Sequence, residues 1–123
     1  MSPIGLTVGA EWDYVLNCDK KETPDKQSIF RLKSLTHEQW IVVNNQHAMG
    51  DRVSAYLTFG LRGWTNFRDK QGNQITYKSI DGVTNPLCLS HLEHDWKMEL
   101  AEQIRTYNSL TEDEVKNSES PGT

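Results

Sequence analysis

The chain has 123 residues, of which 36% are hydrophobic and 24% are charged, and its formal net charge is −4 at pH 7. This length predicts a single domain, and the acidic balance argues against a non-specific nucleic-acid binder or a polybasic membrane contact, because both need basic surface. No apolar run approaches the roughly 20 residues of a membrane span, and no signal peptide is recognisable at the start, so we expect a cytoplasmic protein. In that compartment Cys18 and Cys88 are expected to be thiols, each partly buried.

Two strands are predicted after an extended arm over residues 1–10. Alternation of apolar and polar residues over 11–18 indicates a strand, whose apolar face carries Trp12, Tyr14, Leu16 and Cys18. A second alternating stretch, 28–35, places Phe30 and Leu32 inward. We expect the two strands to pair antiparallel across the charged loop between them.

The stretch after the second strand has two interpretations. Thr36 and Gln39 fit a capping box, in which each side chain accepts a hydrogen bond from the other residue's backbone N–H at the start of a helix. Residues 40–43, Trp-Ile-Val-Val, are mostly β-branched and would suit a strand. We favour a helix, followed by a loop over 44–50.

A helix is predicted over 51–62. Its apolar residues recur at every third or fourth position, and this stripe comprises Val53, Tyr56, Leu57, Gly60, Leu61 and Trp64. Asp51 is the expected N-terminal cap, and Gly63 is the expected end of the helix. Because Gly60 costs about 1 kcal/mol relative to Ala inside a helix, we expect another element to approach it closely.

A hairpin, a long helix and a tail complete the predicted elements. Residues 64–80 indicate a hairpin whose polar loop is longer than two residues. Residues 89–107 indicate an amphipathic helix that starts with a second capping box, Ser90 with Glu93. Residues 111–123 contain four acids against one lysine, and we expect them to be flexible.

These elements predict an α+β domain over residues 11–110, in which a small, mostly antiparallel sheet packs against the helices 51–62 and 89–107. The expected core residues are Leu61, Trp64, Leu92, Trp96 and Leu100. Most of the four tryptophans, Trp12, Trp40, Trp64 and Trp96, are expected in the core. The alternative for one or two of them is a protein interface, where Trp is a frequent anchor.

Catalytic and cofactor signatures are missing from the sequence. The metal-like cluster His91, His94 and Asp95 has helical spacing, but the sequence places no further ligand beside it, so solvated or capping roles are expected. Turn roles are expected for the isolated carboxylates Asp51, Asp69 and Asp81. The motifs GxSxG, GxGxxG and the Walker loop do not occur. We therefore expect no enzymatic activity, no cofactor and no metal.

Several segments together form a distinctive series: EWDYVLNCDK, FRLKSLT, GLRGWTNFRDKQGNQITY, ELAEQI and LTEDEVKNSES. This series resembles small proteins of tailed-bacteriophage morphogenesis clusters, and in particular the phage tail-assembly-chaperone-like proteins. Those proteins have a similar G-L-x-G-W-x-N-F-x-D-x-x-G-N segment and a similar acidic end followed by KNS. The resemblance covers roughly residues 11–118.

The resemblance implies a non-enzymatic protein that binds the long helical tape-measure protein and covers its apolar faces until tail-tube subunits polymerise around it. Such a role needs an apolar groove within a polar exterior. The alternative is a minor virion component, such as a head-decoration, neck or tail-completion protein, whose ends order against neighbouring subunits. The implied partners are phage structural proteins, namely tape measure, tail tube, or capsid and neck subunits, and a homo-oligomer is compatible with either role. The implied location is the host cytoplasm during assembly, or the virion for the alternative.

Candidate partner-binding residues lie towards both ends of the chain and in the stretch after the second strand. They are Ile4, Leu6, Val8, Trp40, Leu110 and Val115. The first three alternate as a strand added to a partner's sheet edge would, and the last two would support a short docked turn. We hypothesise that one or both ends become ordered only against another subunit.

Overall fold

The computed structural model describes the backbone of residues 10–119 and the side chains of residues 10–108. The strands of this part are β1 Glu11–Tyr14, β2 Ile29–Lys33, β3 Leu61–Thr65, β4 Ser79–Ile80 and β5 Val83–Thr84. The helices are α1 His37–Asn44, α2 Met49–Gly60, α3 Pro86–Leu89 and α4 His94–Glu119, and short 3-10 turns span Asn17–Asp19 and Pro24–Lys26. The predicted α+β class is confirmed: a three-stranded antiparallel sheet and a small β4–β5 hairpin pack with α2 and α4.

The main sheet has the strand order β1-β2-β3, with β2 in the centre. The predicted antiparallel pairing of the first two strands is confirmed, and it runs from Glu11 opposite Lys33 to Tyr14 opposite Phe30. Phe30 and Leu32 are fully buried, while Arg31 on the outer face forms ion pairs with Glu11 and Asp13. These pairs are exposed, so each contributes little to stability.

The first strand is shorter than predicted. β1 ends at Tyr14, and the chain turns through the 3-10 segment Asn17–Asp19. The backbone N–H of Asp19 donates to the carbonyl of Leu16. In this turn, side chains no longer alternate between the two faces of the sheet. Leu16 is buried, but Cys18 is exposed, so the expected partial burial of Cys18 is wrong.

The ambiguous stretch after β2 is a helix, as we favoured. The Thr36 hydroxyl accepts from the Gln39 N–H at 3.2 Å, and the Gln39 side chain accepts from the Thr36 N–H at 3.0 Å. Both halves of the predicted capping box are therefore formed. The capping box therefore stabilises a helix in a stretch whose β-branched residues would also suit a strand.

The central helix differs from the prediction at both ends. α2 begins at Met49 with Ala48 as its cap, so Asp51 lies in the first turn and is not the cap. The helix ends at Gly60, and Gly63 lies within β3 instead of ending the helix. Residues 61–65 pair with β2, and this long-range ladder overrides the helical spacing of the local sequence.

The hairpin after β3 is confined to residues 67–75. The N–H of Ile75 donates to the carbonyl of Phe67 at 2.8 Å, and the loop is closed by Asp69, whose carboxylate accepts from the N–H groups of Gln71 and Asn73 at 2.9 Å. The end of the predicted hairpin, Ser79–Ile80, pairs with β5 instead.

The long helix α4 begins at His94, five residues later than predicted, and continues to Glu119. Leu89 closes the separate helix α3, which Asn85 caps by accepting from the Leu87 N–H at 3.0 Å. Ser90 is the C-terminal cap of α3 and donates to the Leu87 carbonyl. Because α4 begins only at His94, Ser90 is not at its N-cap, and the prediction of a capping box that starts the long helix at Ser90 is wrong.

Three of the five predicted core residues, Leu61, Leu92 and Leu100, are buried. Trp64 and Trp96 are half-buried and pack against the core. The Trp64 indole N–H donates to the Ile75 carbonyl at 2.6 Å, which explains its position at the edge of the core. Trp12 also packs against the core, whereas Trp40 is exposed. None of the helices within residues 10–119 is both long and apolar enough to cross a bilayer.

Candidate functional site

A surface groove of about 200 Å³ lies between α2 and α4. We call it the α2–α4 groove. Its lining residues are Met49, Arg52, Val53 and Tyr56 from α2 and Met98, Ala101, Glu102 and Arg105 from α4. The two helices are held against each other where Gly60 meets Ile104, since no side chain at position 60 separates them.

The floor of the α2–α4 groove is apolar. Val53, Tyr56 and Ala101 are buried, and burial raises the pKa of the Tyr56 hydroxyl above its usual range. Two methionines line the same space: Met49 is 68% exposed, and Met98 is half-buried. Methionine side chains are flexible and adapt to irregular apolar partners.

The rim of the groove is charged. Arg105 forms a two-point ion pair with Glu102 along one turn of α4, with Arg105 Nε 2.9 Å from Glu102 Oε2. The hydrogen bonds from Arg105 lower the pKa of Glu102, so this carboxylate stays ionised. Arg52 donates from Nε to the Gln46 carbonyl at 2.7 Å, and no carboxylate within residues 10–108 forms an ion pair with it. Among the described side chains, the charge of Arg52 on the rim is therefore not neutralised by an ion pair.

A second exposed apolar area lies on α1. We define the α1 surface as Trp40, Ile41 and Val42, which are 37%, 42% and 43% exposed. The next residue, Val43, is fully buried. Four consecutive apolar residues point in different directions around a helix, so a single core contact cannot cover all of them.

The sequence hypothesis identified Trp40 as a candidate but missed Ile41, Val42 and the groove residues. The apolar run 40–43 on a capped helix is a signal that would have revealed the α1 surface, because such a run has no single apolar face. Of the other candidates, Ile4, Leu6 and Val8, together with the side chains of Leu110 and Val115, lie outside the described residues.

The histidines and carboxylates that the sequence analysis considered as metal ligands or catalytic groups do not come together in a site within the described residues. In this part of the chain, no three His, Cys, Asp or Glu side chains are placed to hold a metal ion, and His91 and His94 are exposed. Asp69 has the expected turn role, and Asp81 lies in the turn between β4 and β5 with a φ of 52°.

Neither cysteine has the environment of a nucleophile. Desolvation raises the pKa of the Cys18 thiol, and the Asp19 and Glu99 carboxylates raise it further, which opposes formation of the reactive thiolate. Cys88 is buried, and its thiol donates to the Lys78 carbonyl at 3.4 Å while its sulfur accepts from the Lys78 N–H at 3.2 Å. Both cysteines are free thiols.

Comparisons of the chain with protein families, with curated proteins and with solved structures returned no match.

Proposed function

We propose that this chain is a non-enzymatic bacteriophage assembly protein of the tail-assembly-chaperone kind, which binds an apolar helical segment of another phage structural protein. The α2–α4 groove carries this proposal. A groove with an apolar floor, two methionines and a charged rim is the kind of surface that receives the apolar face of an amphipathic helix. The motif resemblance supplies the phage context.

The chemistry of the groove indicates the kind of helix that it would receive. Val53, Tyr56 and Ala101 offer a floor for apolar anchors spaced three or four residues apart on the partner. Arg52 on the rim has no carboxylate partner within residues 10–108, so an acidic residue beside the apolar stripe of the partner would pair with it. The expected ligand is thus an amphipathic helix with an acidic flank, as a segment of the tape-measure protein.

The first experiment measures binding of helical tape-measure peptides, taken from the genome that encodes this chain, by isothermal titration calorimetry. Met49→Glu places a carboxylate in the groove at a side chain that is already 68% exposed, so the fold should tolerate it, and this charge should repel the acidic flank of the partner. We expect at least a tenfold weaker Kd for this variant. Leu87→Glu is the matched control, because Leu87 is 75% exposed on α3 and does not line the groove. Equal affinity of the two variants, or no binding of any segment by the unaltered protein, would reject the proposal.

A second function, a minor virion component, is favoured by the α1 surface, since a lasting subunit contact would cover exposed apolar side chains. Mass spectrometry of purified virions separates the two functions. A chaperone acts before the tail is complete and should be absent from the particle or present in trace amounts. A virion component should be present at a fixed copy number per particle.

A further inference from the structure

Tyr56 in the floor of the α2–α4 groove has a hydroxyl without a hydrogen-bond partner among residues 10–108. The residue as a whole is only 8% exposed. Within the described residues, every buried side-chain nitrogen or oxygen that is shut off from solvent has a partner. The unpartnered hydroxyl of Tyr56 must therefore still be reached by solvent.

This hydroxyl faces the groove. Burial has the largest effect on its pKa, which it raises, and the other effects come from three charged residues, Arg105, Glu102 and Arg52. All three line the α2–α4 groove, so the hydroxyl lies among the side chains of the rim. At neutral pH it is thus an uncharged donor in the space that a partner would occupy.

A purely apolar partner would leave this donor unpaired. A helix that covered Tyr56 with apolar side chains alone would exclude the water that the hydroxyl can reach, and a buried polar group without a partner costs binding free energy. A good ligand must therefore bring a hydrogen-bond acceptor into its apolar face. A site that is built to hydrogen-bond one group of its ligand discriminates strongly against ligands that lack this group.

The charges around the hydroxyl favour a carboxylate as the acceptor. Arg52 donates only from Nε within residues 10–108, so its terminal nitrogens can bind an oxyanion. Glu102 is held at two points by Arg105, which offsets its repulsion of a second carboxylate. The groove, at about 200 Å³, is smaller than the pockets that enclose drug-sized ligands, so it would admit single side chains of a helix.

We propose that Tyr56 determines the specificity of the α2–α4 groove: its hydroxyl donates to the carboxylate of a Glu or Asp side chain on the bound helix, and the same carboxylate pairs with Arg52. The identity of the ligand as a helix rests on the proposed function, whereas recognition of the carboxylate does not. The acidic residue of the partner then lies at the apolar stripe and reaches the floor of the groove. Loss of the Tyr56 hydroxyl should weaken binding and leave the fold unchanged, because this hydroxyl makes no hydrogen bond to residues 10–108.

The first test uses hexanoate, which combines a short apolar chain with a carboxylate, and hexanamide as its uncharged counterpart. Binding is followed by NMR of the methyl groups of Met49 and Met98, which line the groove. We expect hexanoate to bind at least fivefold more tightly than hexanamide, and Tyr56→Phe to weaken hexanoate binding at least fivefold. No shift of the two methyl signals with hexanoate, or equal affinities of hexanoate and hexanamide, would overturn the proposal.

Tyr14→Phe is the matched control for this measurement. The Tyr14 hydroxyl donates to Glu99, and Tyr14 does not line the groove, so hexanoate binding should be unchanged. Equal affinity of Tyr56→Phe and Tyr14→Phe for hexanoate would show that the Tyr56 hydroxyl takes no part. The thermal midpoint of Tyr56→Phe should equal that of the unaltered protein; a clearly lower midpoint would mean that the hydroxyl is already bonded within the protein, which also overturns the proposal.

A double-mutant cycle with a helical peptide separates this proposal from the proposed function. In a tape-measure segment that the unaltered protein binds, the acidic residue is replaced by Gln, and both peptides are titrated against the unaltered protein and Tyr56→Phe. Each change alone should weaken binding at least fivefold, and the two together by less than the product of the single effects. Unchanged affinity in Tyr56→Phe would overturn the role of Tyr56 and leave the proposed function standing. Failure of every segment to bind would reject the proposed function, and the hexanoate titration would still decide the role of Tyr56.

Discussion

Replacement of Gly60 by Ala tests the contact that holds α2 against α4. A Cβ at position 60 would lie 2.5 Å from Ile104 Cδ1 and 3.1 and 3.2 Å from its Cγ1 and Cγ2. Ile104 is fully buried, and a β-branched side chain on a helix has one strongly preferred χ1 rotamer. A change of χ2 would move Cδ1 but would leave the contacts with Cγ1 and Cγ2, so the helices must separate by a few tenths of an ångström or Ile104 must change its χ1 rotamer.

The magnitude follows from two opposing effects. Alanine gains up to about 1 kcal/mol over glycine in a helix interior, but Gly60 is the last residue of α2, so the gain there is smaller. Overpacking a close-packed contact costs about 1–3 kcal/mol. We therefore expect Gly60→Ala to lower the free energy of unfolding by about 1–2 kcal/mol.

Urea denaturation measures the free energy of unfolding of Gly60→Ala, of a control variant and of a double variant. Gly50→Ala is the matched control, because Gly50 lies in the first turn of α2 and a Cβ added there would meet no atom within 4 Å. It should be neutral or stabilising by up to about 1 kcal/mol. Ile104→Val removes Cδ1 and alone should cost about 0.5–1.5 kcal/mol. In combination with Gly60→Ala, the loss should be smaller than the sum of the two single losses. A Gly60→Ala protein as stable as Gly50→Ala would refute the reasoning.

Three further predictions concern a cap, a tryptophan and a tyrosine. Thr36→Ala removes half of the capping box and should lower the free energy of unfolding by about 0.5–2 kcal/mol, measured by urea denaturation. Trp96→Ala should cost about 2–3 kcal/mol in the same assay, below the full range for a buried aromatic, because Trp96 is half-buried against Phe67; a loss under about 1 kcal/mol would place Trp96 outside the cooperative core. Burial, followed by the hydrogen bond to Glu99, raises the pKa of Tyr14. The folded state therefore keeps the phenol proton more tightly than the unfolded state, and stability is lost as pH rises above about 10. In Tyr14→Phe, thermal midpoints between pH 9 and 11 should fall less than in the unaltered protein, and an equal fall would exclude Tyr14 as the source.

Three local features of the sequence predicted parts of the fold. The capping box at Thr36 and Gln39 selected a helix for a stretch that also suited a strand, and its two hydrogen bonds join residues only three positions apart. The alternation around Phe30 and Leu32 predicted β2 because the strand has one buried face. Gly60 was recognisable as a close contact because a glycine in an apolar helical stripe has a propensity cost that needs compensation.

The boundary after Gly60 was not predictable from local spacing. Leu61 and Trp64 are three positions apart, which fits the helical stripe, yet both lie in β3. The deciding interaction is the pairing of residues 61–65 with β2, about 30 positions earlier in the chain. The predicted start of α4 was wrong for a different reason. Asn85 and Pro86 are a local signal for the start of the separate helix α3. The apolar stripe continues through Leu89 and Leu92, however, and therefore indicated one long helix.

The α2–α4 groove could be predicted only in part. The apolar stripe of α2 already contained Val53 and Tyr56, but periodicity does not reveal which part of a stripe its neighbours leave open. That depends on the position of α4, which in turn depends on the contact between Gly60 and Ile104. Trp40 was identified because tryptophan is frequent at interfaces, whereas the exposure of Ile41 and Val42 depends on how α1 packs.

The contact at Gly60 also bears on how the α2–α4 groove would bind a partner. Its two walls are helices that are fixed to each other by a fully buried side chain, Ile104, so the groove exists before any partner arrives. Binding to a pre-formed site avoids the entropic cost of ordering that site. Most of the ordering cost would then fall on the incoming segment, which must become a helix. Affinity should consequently follow the intrinsic helicity of the partner as well as its apolar area, and a segment that is already helical before binding should be held most tightly.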